Sequence, residues 1–299
     1  MSNYHKSVLL EESVDALNIK EDGVYVDVTF GGGGHSKEIL SRLGENGRLF
    51  AFDQDADALQ NTIQDDRFVL IGENFRYIKR FLRFHGVQKV DGVLADLGVS
   101  SYQFDEATRG FSTRFDGELD MRMNQSSGLS AKVVINEYEE ERLADVLYLY
   151  GELRNARAIA KQIVNSRSEK SIDTSFGLKE VLKRFLPKAK EHKILAQIYQ
   201  AIRIEVNEEL EVLKEFLMQM PELLNEEGRL SVISYHSLED RLVKRFIRTG
   251  KFQGEPEKDF YGNTNEPMKK VGKLIVPTQD EIKINNRARS AKLRIATLK

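Results

Sequence analysis

Short apolar runs alternate with amphipathic stretches along the first hundred residues. The runs are rich in β-branched and aromatic residues, which is typical of buried strands, and they cover residues 24–30, 48–52, 68–71 and 93–95. Helical patterns lie between them, over residues 36–43, 57–64 and 76–84. Strands that alternate with helices predict an α/β fold with a parallel, doubly wound sheet, which binds ligands at the carboxyl ends of its strands.

This alternation stops near residue 100. A polar and aromatic loop leads into helical patterns over residues 130–150, 152–166, 174–186 and 192–219, and strand patterns return only at 228–235 and 291–298. Because the first half supplies only four strands, one split domain is preferred to two domains in tandem. We predict an α/β domain made of residues 1–104 and 204–299, with a mainly helical insertion over 105–203. Residues 250–270 are predicted to be a polar loop.

Composition narrows the class of protein. The chain has 299 residues, of which 40% are hydrophobic and 31% charged, and it has no cysteine. Disulfides, a thiolate nucleophile and a cysteine zinc site are therefore excluded. No run approaches the roughly 20 apolar residues of a membrane helix, and the first 20 residues lack a signal-peptide core. We therefore expect a cytoplasmic enzyme with no membrane partner.

The net charge of −2 hides an uneven distribution. Residues 76–89, 241–251 and 287–299 each contain five Lys or Arg and no acid. Such segments could bind phosphates at one surface. They could also be ordinary solvated faces, which composition alone favours.

The glycine run Gly31 to Gly34 follows the first predicted strand, four residues after Asp27. Glycines let a backbone approach a ligand closely, and the helix start behind them offers free N–H groups. A dinucleotide fingerprint would need glycine or alanine where Ser36 stands, and a P-loop would need Gly-Lys-Ser/Thr. The pattern Asp-x-x-x-Gly-x-Gly resembles motif I of class I methyltransferases, although a merely structural turn remains an alternative.

Carboxylates end the next strands. Asp53 follows the second strand, where a carboxylate can accept both ribose hydroxyls of an adenosine group, whether of NAD or of S-adenosylmethionine. Phe75 follows the third strand and could cover an adenine or belong to the core. Asp96 ends the fourth strand, where it could accept a hydrogen bond from an amine nucleophile, bind the cofactor or cap the next helix.

Two histidines lie near these strand ends but are too isolated to indicate a metal site. His236 precedes Ser237, and Ser237 with Asp240 fits a helix capping box. That box explains Ser237 and leaves His236 as a candidate for the ligand side of the sheet.

Taken together, these segments resemble the ribosomal RNA small-subunit methyltransferase H family, also called MraW. The matching stretches run in order along nearly the whole chain: His5 to Glu11, the glycine turn through Ser36, Asp96 to Ser101, Arg109 to Ser112, Asp116-Gly117, Leu119 to Met123, Gln200 to Ile204 with Asn207, His236 to Arg241, and Arg287 to Arg294. The loop after Asp96 is far more specific than the glycine motif.

The resemblance implies a Rossmann-like class I methyltransferase sheet with a helical insertion that recognises the substrate. It implies S-adenosylmethionine as the cofactor and N4-methylation of a cytidine in the decoding centre of small-subunit (16S) rRNA, with no metal. The cofactor contacts would be Gly33, Gly34, His35, Asp53, Phe75, Asp96 and Gln103. The candidates for contact with the RNA are Ser100, Ser101, Arg109, Arg122, Asn207, His236, Arg287 and Arg289.

The chain departs from the family pattern at Tyr102, where proline is usual, and at Asn124, where aspartate is usual. The N4 lone pair of cytosine is conjugated with the ring, so the amine needs a hydrogen-bond acceptor. We hypothesise that Asp96 or the carbonyl of Leu97 accepts the amine proton while the base is splayed from its stack.

Three alternatives remain at this point. The chain could methylate another RNA or DNA, act as a nicotinamide-dependent oxidoreductase, or bind ribosomal precursors with little catalysis. Ser36 disfavours the second, and the retained Asp27, Asp53 and Asp96 disfavour the third. The sequence leaves the oligomeric state open, with a homodimer as one option.

Overall fold

The carboxyl ends of several strands meet at one edge of a mixed sheet. The computed structural model describes residues 7–126, 128–254 and 266–299. Its strands are β1 (Val24–Asp27), β2 (Arg48–Phe52), β3 (Phe68–Ile71), β4 (Val90–Asp96), β5 (Leu224–Ser234), β6 (Met268–Ile275) and β7 (Lys292–Leu298). Its helices are α1 (Leu10–Asp15), α2 (Gly34–Arg42), α3 (Ala56–Leu59), α4 (Ile78–Phe84), α5 (Ser101–Asp105), α6 (Ala131–Glu137), α7 (Glu140–Leu149), α8 (Ala156–Arg167), α9 (Ser175–Val181), α10 (Glu191–Asn207), α11 (Glu209–Leu223), α12 (Ser237–Thr249) and α13 (Gln279–Ile284).

The strand order is β3-β2-β1-β4-β5-β7-β6. The first five strands in this order pair in parallel, and β7 runs antiparallel between β5 and β6. The predicted α/β class is confirmed, and β1 lies between β2 and β4 as the sequence indicated. The predicted parallel arrangement holds for β1 to β5, whereas the antiparallel β7 makes the sheet mixed. The residues that follow β1, β2, β4 and β5 are therefore neighbours at one edge, which is where such sheets bind ligands.

Each face of the sheet is covered by apolar side chains, because successive residues of a strand point to opposite faces. Val26, Phe50 and Val93 pack on one face with Phe216 of α11 and Phe246 of α12. On the opposite face, Tyr25, Leu49 and Leu94 pack with Ile39 of α2. Full burial of side chains of this size contributes about 1.5–3 kcal/mol each. This packing fixes the strand ends relative to one another.

The chain divides into two units, one of residues 1–98 and 210–299 and the other of residues 99–209. The second unit contains α5 to α10 around its own apolar core, which includes Leu143, Ile159 and Ile198. Our predicted boundaries were 104/105 and 203/204. The continuous helical pattern at 192–219 is two helices, since Glu208 takes a left-handed φ of 51° between α10 and α11.

Strand β6 was not predicted. Residues 250–270 were expected to be a polar loop, and residues 255–265 lie outside the described part of the chain, as do His5 and Lys6. β6 begins at Met268 and is the edge strand beside β7, and three of its eight residues are exposed lysines. Lysine on an edge strand discourages pairing with other chains, and it also hides the strand from a hydrophobicity pattern. Within the described ranges, no helix is long and apolar enough to cross a membrane.

Candidate active site

The glycine turn joins β1 to α2 and depends on glycine at two positions. Gly33 is the N-cap of α2 with a left-handed φ of 74°, and its N–H donates to the Phe30 carbonyl at 2.7 Å. A Cβ at Gly33 would lie 2.9 Å from the Phe30 ring, and one at Gly34 would overlap the Ser7 hydroxyl. A Cβ at Gly32 would meet nothing within 4 Å. The backbone at Gly32 is thus open to a ligand, whereas Gly33 and Gly34 are needed by the fold.

Asp27 lies beneath this turn and is fully buried. Its carboxylate accepts hydrogen bonds from the Ser36 hydroxyl at 2.7 Å and from the Thr29 N–H at 3.1 Å. Burial raises the pKa of Asp27, and the nearby His35 and these donors oppose that rise. Ser36, the residue that argued against a dinucleotide fingerprint, therefore fastens α2 to the end of β1.

Asp53 connects the end of β2 to the glycine turn. Its Oδ2 accepts from the Gly31 N–H at 2.8 Å and its Oδ1 from the Asp55 N–H at 2.9 Å. Burial raises the pKa of Asp53 to about 6, against the effect of these two donors. Each carboxylate oxygen has a second lone pair, so the group can still accept two hydroxyl donors. That is the requirement of a ribose 2′,3′-diol.

Phe75 lies just after β3, at the start of a short 3₁₀ turn. Its ring packs edge-to-face on Phe216, with the centroids 5.3 Å apart, and it remains partly exposed. Asn74 precedes it and stabilises the turn by accepting from the Arg76 N–H at 2.9 Å. Phe75 thus packs against the core and keeps an accessible edge. It can therefore be a core residue and still cover an adenine, the two roles that the sequence left open.

Asp96 occupies the end of β4. Its backbone N–H donates to the Thr29 hydroxyl at 2.7 Å, which ties β4 to the residues after β1. Its Oδ1 accepts from the Tyr235 hydroxyl at 2.7 Å, and its Oδ2 lies 3.9 Å from Nδ1 of His35. The side chain is 22% exposed. One oxygen is thus held by a phenol while the carboxylate still reaches solvent.

Neighbouring groups shift the pKa of the Asp96 carboxyl group in opposite directions. Burial raises its pKa to about 6, and the charges of Asp27 and Glu239 act in the same direction. His35 and the Tyr235 hydrogen bond act against this rise. His35 is itself buried, at 4% exposure, and its Nε2 lies 3.2 Å from the Val8 carbonyl. The imidazole is therefore fixed in orientation, with Nδ1 toward the carboxylate.

Tyr235 was missed by sequence reasoning. It follows β5, the strand next to β4, and its hydroxyl has a pKa raised well above the usual range by burial and by Asp96. The phenol thus stays protonated and acts as a donor. The usable signal was its place after a predicted strand, but a sequence does not show which neighbouring strand end it reaches.

The predicted capping box at Ser237 and Asp240 is wrong. The N-cap of α12 is His236, whose Nδ1 accepts from the Glu239 N–H at 3.4 Å. Glu239 returns the interaction, since its Oε2 accepts from the N–H groups of His236 at 3.3 Å and Tyr235 at 2.9 Å. Asp240 instead binds Arg294 at 2.7 Å. The box is shifted by one residue because histidine nitrogen substitutes for the usual hydroxyl.

In the inserted unit, two RNA candidates hold a loop in place. Arg109 is only 2% exposed, and its guanidinium donates to the carbonyls of Arg122 at 3.0 Å and Met123 at 3.2 Å. Asn207 donates to the Met121 carbonyl at 2.7 Å and accepts from the Met123 N–H at 2.7 Å. The sequence suggested that Arg109 contacts a phosphate of the RNA. In the structure this side chain is buried, and its guanidinium binds backbone carbonyls instead.

The other candidates of that unit surround α5 and the same loop. Ser100 caps α5, with its hydroxyl accepting from the Gln103 N–H at 3.2 Å, and the buried Gln103 accepts from the Ser100 N–H at 3.1 Å. Ser101 is the first residue of α5. Arg122 pairs with Asp120 at 2.7 Å. Of the two departures from the family pattern, Tyr102 is 53% exposed and Asn124 accepts from the Ser126 N–H at 3.0 Å.

The basic carboxyl-terminal run is only partly accessible. Arg289 is exposed and Arg287 half-buried in a 3₁₀ turn, Asn286–Ser290. Arg294 and Lys292 instead contact Asp240, at 2.7 and 3.4 Å. Only the beginning of this run therefore remains as a candidate for phosphate contact.

Comparison with known proteins bears on the family of this chain. The model of the MraW methylase family matches residues 2–299. A protein of Flavobacterium johnsoniae named Ribosomal RNA small subunit methyltransferase H is 68% identical, over 98% of this chain and 97% of its own length. A Bacteroides fragilis protein of the same name is 56% identical, over 100% and 98%. The solved rRNA methylase of Streptococcus thermophilus aligns over 98% of this chain and 97% of its own, with 12% identity and a TM-score of 0.44. The predicted methyl donor is confirmed with the family: the chain belongs to the MraW methylase family and is an S-adenosylmethionine-dependent methyltransferase.

Proposed function

We propose that this enzyme methylates the exocyclic N4 of a cytidine in the decoding centre of small-subunit (16S) rRNA. The names of its relatives, at 56–68% identity over nearly full length, support an rRNA substrate. The family resemblance of the loop from Asp96 to Met123 supports the nucleotide and the position. One observation in the structure carries the amine chemistry: a partly exposed carboxylate, Asp96, held by Tyr235 at the strand end where a methyl acceptor would enter.

The residues present fit S-adenosylmethionine. The open backbone at Gly32 leaves room for an amino-acid moiety, and Asp53 has acceptor capacity for a ribose diol in a desolvated place. Phe75 presents an aromatic edge beside the next strand. When bound, S-adenosylmethionine supplies an electrophilic methyl group on sulfur. Gly33, Gly34 and His35 would position that end, together with Asp96, and the resemblance adds Gln103.

The amine loses one proton for each methyl group it gains, and a base must accept this proton. We assign the acceptor to Asp96, whose pKa of about 6 leaves it mostly ionised at neutral pH yet more basic than an ordinary carboxylate. An N4–H donating to its oxygen would localise the nitrogen lone pair for attack on the methyl carbon. The backbone carbonyl of Leu97 is the alternative acceptor of the N4–H hydrogen bond.

The helical insertion, residues 105–203, is proposed to recognise the RNA, and the small ribosomal subunit in the cytoplasm is proposed as the partner. Within the compact unit of residues 99–209, Arg122, Ser100 and Ser101 remain candidates for RNA contact, whereas Asn207 has the structural role described above. In the α/β unit the remaining candidates are His236, Arg287 and Arg289. No step of this proposal needs a metal ion.

The test is transfer of labelled methyl groups to purified small subunits that lack the modification, with naked 16S rRNA in parallel. The expected product, after digestion to nucleosides, is N4-methylcytidine at one decoding-centre position. A label on another base, or on the 2′-hydroxyl, would contradict the proposal. The Asp96→Asn protein serves as the control for site-dependent transfer.

A further inference from the structure

One backbone peptide group beside the glycine turn is bound by side chains on both of its edges. This group joins Val8 to Leu9, and we call it the Val8–Leu9 peptide. Its carbonyl oxygen lies 3.2 Å from Nε2 of His35, and its N–H donates to Oε1 of Glu281 at 2.8 Å. The peptide is trans and planar, so its C=O and N–H point in opposite directions. His35 of α2 and Glu281 of α13 therefore hold one rigid group from opposite sides.

The segment that contains this peptide, residues 7–9, lies against the start of α2. A Cβ at Gly34 would overlap the Ser7 hydroxyl, so the chain passes directly over the glycine turn. The side chains of Val8 and Leu9 are buried in an apolar cluster that includes residues of β5 and β7. These side chains fix the position of the segment, and the peptide group between them contacts α2.

The backbone at Leu9 does not favour the observed orientation of the peptide. Leu9 has a left-handed φ of 50°, a conformation that is unfavourable for residues with a side chain. Rotation of the peptide plane would move Leu9 out of this region and would turn the Val8 carbonyl away from His35. Such a conformation persists where the surrounding structure determines it. The hydrogen bond to Glu281 meets this need, because it fixes the N–H side of the plane.

The Glu281 side chain has this peptide as its partner. Within the described ranges no lysine or arginine forms an ion pair with it. The start of α13 has its own cap, since the Thr278 hydroxyl accepts from the Glu281 N–H at 3.2 Å. The preceding residue, Asp280, is different: its side chain is 85% exposed and pairs with Lys283 at 2.7 Å. Asp280 is therefore a matched control, with an acidic side chain on the same helix but directed to solvent.

The peptide determines how the His35 ring is held. A carbonyl oxygen can only accept, so Nε2 of His35 must carry a hydrogen. Nδ1 then lies 3.9 Å from Oδ2 of Asp96. The ring is only 4% exposed, so a rotated peptide would leave the Nε2 hydrogen without its acceptor in a buried place. The ring would then have to turn or change its tautomer.

We propose that Glu281 is a positioning residue of the cofactor site, which acts through the Val8–Leu9 peptide to hold the His35 imidazole beside Asp96. The inference rests on the proposed function in one respect, because it takes His35 as a contact of the cofactor. Glu281 acts indirectly, since its carboxylate binds the peptide and the peptide binds the ring.

The first measurement is the ¹⁵N NMR spectrum of the histidine rings in cofactor-free protein. The His35 signals are identified by their loss in His35→Gln protein. In the wild type, the Nε2 hydrogen of His35 should be protected from exchange with solvent. Glu281→Ala removes the acceptor of the Leu9 N–H, so the His35 signals should shift and this exchange should become roughly tenfold faster. Glu281→Gln keeps an oxygen acceptor and should restore the wild-type signals.

The second measurement is the Kd for S-adenosylmethionine, determined by calorimetric titration without RNA. Glu281→Ala should weaken binding roughly tenfold, which corresponds to the loss of about one hydrogen bond. Glu281→Gln and Asp280→Ala should stay within about twofold of the wild type, as expected for changes that leave the peptide bound. The thermal midpoint of each variant checks that it folds.

Wild-type His35 signals in the Glu281→Ala protein would overturn the inference. Equal impairment in the Glu281→Gln or the Asp280→Ala protein would also overturn it, because the effect would then come from charge and not from the bound peptide. Shifted His35 signals with unchanged cofactor affinity would support the hold on the ring and contradict the cofactor contact of His35. Neither measurement uses RNA, so a failure to form N4-methylcytidine would contradict the proposed function alone.

Discussion

The hydroxyl of Tyr235 donates to Oδ1 of Asp96 across 2.7 Å, and this bond joins the ends of two adjacent parallel strands, β5 and β4. The backbone supports the same junction, since the Leu97 N–H donates to the Ile233 carbonyl at 3.0 Å. The phenol occupies one carboxylate oxygen and leaves the other near His35. Tyr235 thereby orients the Asp96 carboxylate and favours its ionised form.

Tyr235→Phe should shift the acidic limb of the pH–rate profile toward higher pH. Wild-type activity should fall as pH drops through about 6, where Asp96 becomes protonated. Tyr235 and His35 lower the pKa of Asp96, whereas burial, Asp27 and Glu239 raise it, so losing the phenol raises it further. One hydrogen bond to a charged group is worth about one pKa unit or slightly more.

The measurement is initial rates from pH 5 to 9 with both substrates saturating. At pH 8.5 the variant should approach the wild-type rate, because Asp96 is ionised in both proteins. Coincident acidic limbs would show that Tyr235 does not influence the group that titrates. The affinity for S-adenosylmethionine at pH 8.5 provides the folding control.

Asp96→Asn should lower kcat by about 10²- to 10⁴-fold, the usual contribution of a positioned base. Asparagine retains an oxygen that can accept from Tyr235, so the strand junction should persist. The variant cannot accept the amine proton, and turnover should depend on water or a backbone carbonyl. Rates are measured at saturating S-adenosylmethionine, and an undiminished kcat would exclude the carboxylate as the acceptor.

The same substitution should stabilise the ligand-free protein at neutral and alkaline pH. The folded-state pKa of Asp96 is raised to about 6 from an ordinary value of 3.8. A raised pKa means that the contribution of this group to stability is complete below 3.8 and is lost as pH rises through 6. Removal of the charge should therefore increase the free energy of unfolding by about 1–3 kcal/mol at pH 8.

This gain should narrow steadily as pH is lowered from 7 toward 4, because Asp96 then becomes neutral in the wild type as well. Urea unfolding of both proteins at several pH values gives the difference directly. A gain that is constant with pH would point to altered packing rather than to the buried charge. Lower activity together with higher stability in Asp96→Asn would show that the buried charge of Asp96 is kept for function at the expense of stability.

Much of the fold could be predicted from sequence because its signals are local. The strands β2 and β3 were predicted at their observed bounds, and β1 was placed correctly between β2 and β4. That order also predicted that Asp53, just after β2, and Asp96, at the end of β4, lie on either side of the end of β1. The spacing of apolar residues in each element, together with the alternation of strands and helices, was sufficient for these inferences.

The rest depended on contacts between distant residues. Tyr235 and Asp96 are 139 positions apart, and Asn207 and Met123 are 84 apart. A charged Arg109 looks like a phosphate contact in sequence, and only the structure shows that it is buried under a loop. β6 was hidden because an edge strand needs no apolar alternation. Residue type alone did not separate structural from functional polar groups.

Gly32→Ala should weaken cofactor binding with little effect on stability, whereas Gly33→Ala should lower the stability of the fold. A methyl group at Gly32 meets nothing in the protein within 4 Å, so the thermal midpoint should be nearly unchanged. It would enter the space where a ligand approaches the backbone, and affinity for S-adenosylmethionine should fall. At Gly33 the left-handed φ and the Phe30 ring oppose a side chain, which should cost about 1–2 kcal/mol of folding free energy.

Calorimetry of both proteins, with and without S-adenosylmethionine, separates the two effects. Unimpaired binding by the Gly32→Ala protein would show that the cofactor does not use this part of the turn. An unchanged midpoint in the Gly33→Ala protein would contradict the assigned cap of α2.

Asn207→Ala should destabilise the inserted unit instead of merely weakening RNA binding. The amide satisfies the Met121 carbonyl and the Met123 N–H, both at 2.7 Å, and Met121 is fully buried with a left-handed φ of 57°. Removing a side chain that satisfies two partly buried backbone groups should cost about 2–4 kcal/mol. Asn207→Asp retains an acceptor for the Met123 N–H, but it replaces the donor to the Met121 carbonyl by a carboxylate oxygen, so its cost should be at least as large as that of Asn207→Ala. Urea unfolding of the RNA-free protein measures both variants. A residue that only contacts RNA would leave the stability unchanged, whereas a residue that holds the loop at Met121 to Met123 should lower it in both variants.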